Sequence, residues 1–384
     1  MRSDQDHKIV GLEALRFLCA FSVVVFHYSM FAFVGTVPVG YEPKAAPFYN
    51  ILFPFLDRGF FAVPYFWCIS GFIFFWKYQF DVRNRITGRE FFVYRFSRLY
   101  PLHLATLLLI AILQTFYMAL TRTYFIYPNN KLTSFTLHLL MLGNLSFPYH
   151  LSFNGVIWSV SFEVFVYITF FLICRYSRHP GIAAALIGPL SAIIWIGWFP
   201  ESRFQGWINE SQLLQCLSFF YFGGIACIVH RWLTQRRLTF VSSIILLSYY
   251  WVLYAIRNSW PPNGYFRMVI CIPPTVLAFA CLPIHRIVPK VFVQGLGNLT
   301  YSSYLLHFPV VLTAMIVAAI LGRHLDYRSP YLLVTFVTTV FGMAPICYRY
   351  FEMPAQRAIR RLLLAPKEIS GTSKAIIQPT KIES

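Results

Sequence analysis

Apolar runs of about 18 residues or more recur along this 384-residue chain, and that feature leaves few folds open. A run of that length crosses the roughly 30 Å hydrocarbon core of a bilayer as a helix. In lipid every backbone polar group must be satisfied within the structure, so spanning segments are helices or closed β-barrels. A barrel would show alternating segments of about ten residues instead of continuous runs. The composition agrees: 12% of residues are charged, against about 25% in a soluble domain. The chain therefore reads as all-α, a polytopic membrane helical bundle of about ten transmembrane helices. The spans fall near 11–31, 59–79, 99–120, 157–174, 181–199, 212–230, 238–256, 266–283, 299–321 and 331–349. A shorter apolar piece near Leu132–Leu145 is polar-flanked and reads as a re-entrant or interfacial segment.

A net charge of +18 raises the question of nucleic acid, but the basic residues cluster in alternate loops, as membrane topology demands. About two-thirds of the 32 Lys and Arg fall on the side of the N-terminus, which sets both termini in the cytoplasm. A lipid bilayer is the expected partner, nucleic acid is not, and the expected location is the inner or plasma membrane. The first run carries charges and lacks an A-x-A-like site, so it reads as a retained span and not a cleaved leader. All eight cysteines lie in apolar runs without metal spacing and read as packed thiols. Residues 1–355 form the expected membrane domain, and 356–384 a basic cytoplasmic tail, disordered. The absence of an internal repeat weighs against inverted-repeat transporters.

Charged groups at membrane depth cost roughly 2.5–3.5 kcal/mol each on the gentlest scale and read as functional by default. The first span carries Glu13, Arg16 and His27. Arg16 and His27 are eleven residues apart, close to three helical turns, so they share a face about 16 Å apart along the axis. Glu13 lies one turn before Arg16 and can pair with it. A guanidinium near the cytoplasmic end suits a phosphate or carboxylate, and an imidazole deeper in suits a general base. Arg95 and Arg98 are one turn apart as the third span begins. They serve topology, an anionic ligand such as a nucleotide phosphate, or both. Trp158 and Ser161 precede Glu163 at the start of the fourth span, and Glu163 needs a partner or a task. Ser303, Tyr304 and His307 share a face of the ninth span and form either a packing network or a polar seam toward the interior. Glu352 pairs with Arg349 or with the arginine-rich loop, and Pro354 is a natural stop for the tenth span. His27, His103, His138, His150 and His307 show no short-spaced pair, so no metal site is expected.

Taken in order, these elements resemble the acyltransferase 3 family of integral-membrane O-acyltransferases, which includes polysaccharide O-acetyltransferases. The carriers are Arg16 and His27 with ten residues between them, Ser70-Gly71-Phe72, Arg95-Phe-Ser-Arg98, Trp158 through Glu163, Tyr301 through His307, and Phe351 through Pro354. Glu13 and Phe17 depart mildly from the Asp and Gly often found around that Arg. The resemblance implies transfer of an acyl group, most often acetyl from cytoplasmic acetyl-CoA as donor substrate, to a hydroxyl of a cell-surface or exported carbohydrate. Read from the residues against that activity, the expected roles are catalysis for His27, Arg16 and Glu163, and donor binding for Arg95, Arg98 and Glu13. His27 acts as base or as covalent carrier, with Glu163 orienting it as the third member of a triad does. Ser303, Tyr304, His307, Trp158 and Ser161 line the substrate path. Some members carry an extracytoplasmic hydrolase-like domain; without one, acceptor chemistry falls to the bundle or to an extracytoplasmic or polysaccharide-assembly partner. A small secreted acceptor such as a macrolide, a succinyl donor, and a transporter are the competing readings.

Overall fold

The computed structural model describes residues 8–143, 151–198, 211–255 and 264–364. Arg2, His150, Arg203, Arg257 and the tail beyond Leu364 lie outside them. Fifteen helices follow in order: Val10–Phe26 (α1), Tyr49–Leu56 (α2), Ala62–Tyr78 (α3), Asp81–Asn84 (α4), Gly88–Thr121 (α5), Leu132–Leu139 (α6), Trp158–Tyr176 (α7), Pro180–Trp198 (α8), Gln212–Gln235 (α9), Thr239–Ala255 (α10), Gly264–Cys281 (α11), Lys290–Asn298 (α12), Thr300–Ile320 (α13), Pro330–Cys347 (α14) and Met353–Leu364 (α15). Every expected span is a helix. Among the described residues, nine are long and apolar enough to cross a membrane. The tenth, α10, is a 17-residue helix with an apolar stretch at Thr239–Tyr249.

Three local details decide what surrounds the site. The first is α5, whose 34 residues reach about 51 Å at 1.5 Å per residue, well beyond the bilayer core. A capping box opens it: Thr87 Oγ1 accepts from the Glu90 amide, and the Glu90 carboxylate accepts from the Thr87 amide, satisfying two orphan donors. The extra length puts Arg89, Arg95 and Arg98 in the N-terminal turns of the helix. Second, the crossing of α3 and α9 is set by glycine. A Cβ on Gly71 would lie 1.8 Å from the Phe220 carbonyl oxygen, and one on Gly223 would lie 1.9 Å from that of Cys68. Two helices this close need small residues at the contact.

Third, the chain does not stop at Pro354. After α14 it passes through a π-helical turn, Tyr348–Glu352, directly into α15. The proline sits in the first turn of α15, where its missing N–H costs least, and the wider turn accommodates it. Helix continues past the boundary expected at 355, and Arg360 Nε donates to Ser97 Oγ at 3.0 Å, tying α15 back to α5. The N-terminal end of α1 is tied nearby, with Lys8 Nζ donating to Asn298 Oδ1 at 2.7 Å and Arg16 reaching Thr300. Both ends of the described chain thus meet at one end of the bundle, its basic end.

The buried interior falls into two clusters. One holds Leu12, Leu15, Cys19 and Val23 of α1 with Tyr304 and Leu305 of α13. The other holds Val24 and Val25 with Phe308, Val311 and Leu312. The division crosses α1 one turn before His27 and crosses α13 at His307.

Candidate active site

Arg16 is held from both sides. Its Nη1 donates to both carboxylate oxygens of Glu13 at 3.2 Å, and its Nη2 donates to Thr300 Oγ1 at 3.2 Å. The pair is largely buried, with side-chain exposures of 14% and 5%. A buried ion pair is a weak source of net stability, because desolvation opposes the attraction, and its geometry here fixes a guanidinium in place. Gly297 of α12 backs the arrangement: a Cβ there would lie 1.9 Å from Glu13 Oε2.

Arg95 and Arg98 reach the same region from α5. The Arg95 guanidinium carbon lies 4.0 Å from the Phe74 ring centroid and 4.8 Å from that of Tyr78, an arrangement that holds a cation without neutralising it. Arg98 is within electrostatic reach of Glu352 and Glu13. Glu352 accepts from Ser302 Oγ at 2.8 Å and from Gln356 Nε2 at 3.1 Å. Of the two partners expected for Glu352, the arginine-rich segment is the one it faces, while Arg349 lies over the Tyr350 ring.

Two cavities lie beside these groups and His27, with Tyr304 in the lining of both. The first, about 130 Å³, is lined by Arg16, Arg95, Arg98, Glu163, Tyr167 and Tyr304, among others. A smaller recess of about 110 Å³ at the basic end adds Lys8, Lys77 and Glu13 to the same three arginines. The second cavity, about 320 Å³, is lined by His27, Trp158, Gln212, Gln215, Tyr127 and Tyr304 with apolar side chains between them. Tyr304 borders both. Its hydroxyl donates to the Val156 carbonyl and lies 3.2 Å from Ser159 Oγ, so the ring stands as a fixed partition.

His27 closes α1. Its Nδ1 lies 2.8 Å from the Val23 carbonyl oxygen, which makes Nδ1 the protonated nitrogen and leaves the Nε2 lone pair as the basic site. The expected orienting contact from Glu163 is not made. Glu163 accepts a hydrogen bond from Tyr167, one turn along α7, and lies within reach of Arg95, Arg98 and Arg16 in the other cavity. The backbone of α1 does the orienting instead. A second imidazole packs on His27: His307, fully buried, has its ring centroid 4.6 Å away, and among the described residues its two buried ring nitrogens have only the Ser303 and Tyr304 backbone within reach. The histidines that look scattered in sequence pair in space, since His103 Nε2 also lies 2.6 Å from the His138 carbonyl oxygen.

Among the other expected residues, Trp158 lines the second cavity and packs edge-on against Trp67. Ser303 bonds the Thr300 carbonyl at 3.2 Å. Ser161 is buried but lines none of these cavities; Ser159, half a turn away, does. Sequence reasoning missed Thr300, Ser302, Tyr167, Tyr127, Gln212 and Gln215. Tyr167 is legible as an i+4 partner of Glu163, and the two glutamines as amides inside an apolar run. The His27–His307 contact leaves no signal in spacing. Among the described residues no cluster of His, Cys, Asp and Glu could hold a metal ion.

A family model for the acyltransferase domain of acyltransferase 3 proteins matches residues 9–347. Acyltransferase MdmB from Streptomyces mycarofaciens is 26% identical over 333 residues, covering 79% of each chain. No solved structure matches. The stretch matched runs from the start of α1 to the last residue of α14 and so contains both cavities and His27: the chain belongs to the acyltransferase 3 family and is a multi-pass membrane enzyme that transfers acyl groups.

Proposed function

We propose that the enzyme moves an acetyl group from cytoplasmic acetyl-CoA to a hydroxyl of a carbohydrate at or beyond the outer face of the cell membrane. The observation that carries this reading is that a cation-lined cavity and an uncharged one meet at Tyr304, with His27 on the uncharged side. The basic end faces the cytoplasm, where Lys8, Lys77, Arg95 and Arg98 receive the phosphates of coenzyme A. Arg95 and Arg98 bind them by charge-assisted hydrogen bonds, and Glu13 holds Arg16 in position for the same task. The pantetheine arm then spans the roughly 16 Å between Arg16 and His27 and brings the thioester to the partition.

The acceptor hydroxyl gives its proton to His27 Nε2 as its oxygen attacks the thioester carbonyl. The carbon–sulfur bond breaks, and the leaving thiolate takes the proton back from the imidazolium. An ester and free coenzyme A result, and the imidazole is regenerated. The Val23 carbonyl stabilises the transient imidazolium through Nδ1–H, the part a carboxylate plays in a hydrolase triad. Glu163, hydrogen-bonded to Tyr167 among three arginines, sets the charge balance along the donor arm.

The test is thiol release and labelled-acetyl transfer by purified protein given acetyl-CoA and a glycoside acceptor. The expected result is acceptor-dependent release in wild type and its loss in His27→Ala. Acceptor-dependent turnover of His27→Ala at the wild-type rate would remove His27 from the chemistry.

A further inference from the structure

The two cavities differ in a way that bears on the acceptor itself. Among the described residues, the lining of the 320 Å³ cavity includes no Asp, Glu, Lys or Arg. Its polar groups are His27, the amides of Gln212 and Gln215, and the hydroxyl-bearing rings of Tyr127 and Tyr304; Phe60, Val63 and Pro64 are among its apolar walls. Gln212 and Gln215 are both buried and lie three residues apart on α9, so they share one helix face. The volume sits at the low end of the roughly 300–1,000 Å³ typical of small-molecule sites, which gives room for one ring, not a length of chain.

Resting on the acyl-transfer reading above, we infer that the acceptor group entering this cavity is a single uncharged, ring-sized hydroxyl compound with one apolar face. A neutral deoxyhexose unit has this chemistry. Primary amides offer a donor and an acceptor each, which matches hydroxyls without calling for charge. The faces of aromatic rings suit the C–H side of a sugar. Among the described lining residues an anionic acceptor finds no fixed cation. Among the described lining residues the ion-pair partner left to it is His27 as the imidazolium, and an imidazolium has no lone pair left to take the hydroxyl proton. A cationic amino sugar would lose its hydration with no carboxylate in return.

The experiment uses the purified full-length protein, labelled acetyl-CoA and three probes: the methyl glycosides of rhamnose, glucuronic acid and glucosamine. The expected result is that kcat/KM for the rhamnoside exceeds that for either charged glycoside by about a hundredfold, the scale of burying an unpaired charge. A charged glycoside used as well as or better than the rhamnoside overturns the inference and leaves the transferase reading standing. His27-dependent transfer to none of the three, with no thiol release, overturns both. A second variant keeps the cavity itself under test. Gln215→Glu puts a carboxylate of nearly the same shape into the lining, and Ser211, whose Oγ now accepts from Gln215 Nε2 at 2.9 Å, can donate to it. The expected shift in the glucosaminide-to-rhamnoside ratio is about tenfold toward the amino sugar. An unchanged ratio places the acceptor elsewhere and overturns the inference.

Discussion

The basic cavity presents three guanidinium groups and one carboxylate, whereas the cavity beyond Tyr304 presents amides, aromatic rings and an imidazole. Within one bundle, on the same helices, charge is gathered at one end and absent from the described lining at the other. The contrast teaches how a membrane enzyme can handle two unlike reactants. Fixed cations are costly at membrane depth, and on the proposed reading they stand where an anionic donor offsets that cost. On the proposed mechanism His27 alternates between neutral and charged forms, and it lies beyond them, in a lining that holds no Asp, Glu, Lys or Arg among the described residues. The two buried clusters repeat the division, and the two histidines in ring contact lie at their junction.

The contrast can be broken most severely at His27. His27→Ala should lower kcat by roughly 100- to 10,000-fold, the range for loss of a general base, while thermal unfolding stays near that of wild type; labelled-acetyl transfer and a melting curve check the two halves. His307→Phe, which keeps a ring against His27 but removes its nitrogens, separates packing from chemistry. If His307 only packs, kcat falls less than about threefold; a loss above about tenfold, together with a shifted pH profile, gives the second imidazole a part in proton handling.

Arg16→Lys keeps the charge but loses the fork that binds Glu13 and Thr300 together. It should raise donor KM or lower donor kcat/KM by about ten- to a hundredfold, with the acceptor KM unmoved. Gly297→Ala acts on the same pair from behind, because its Cβ would meet the Glu13 carboxylate. A several-fold loss confined to the donor constant is expected, measured by varying acetyl-CoA at saturating acceptor. The smallest effect is that of Ser302→Ala, which removes one hydrogen bond to Glu352. About 1 kcal/mol is at stake, read as a drop of a few degrees in unfolding temperature with little change in either KM.

The bundle was legible in the sequence because helix length and apolarity are dictated by the bilayer, and each expected span corresponds to a helix. The Glu13–Arg16 pair was legible because an i,i+3 spacing on a helix leaves little geometric choice. Resemblance added the order of motifs, and the family match bears out that likeness. What stayed hidden depends on contacts between distant segments. His307 meets His27 across two helices, Thr300 meets Arg16, and Ser302 meets Glu352. Glu163 as the orienter of His27 failed for a similar reason: an i+4 tyrosine and the local backbone satisfied the two groups separately. Pro354 misled as a stop because a π-turn let the helix continue.

The segregation of charge is tested most directly by two-substrate kinetics on wild type, Arg98→Gln and Gln215→Ala, with acetyl-CoA as donor and methyl rhamnoside as acceptor. The expected result is a crossed pattern: Arg98→Gln raises the donor KM by about tenfold or more, near 1.4 kcal/mol, and leaves the acceptor KM alone, while Gln215→Ala does the reverse. If both variants move the same constant, or if each moves both, donor and acceptor share one site, and the division of labour between the two cavities is wrong.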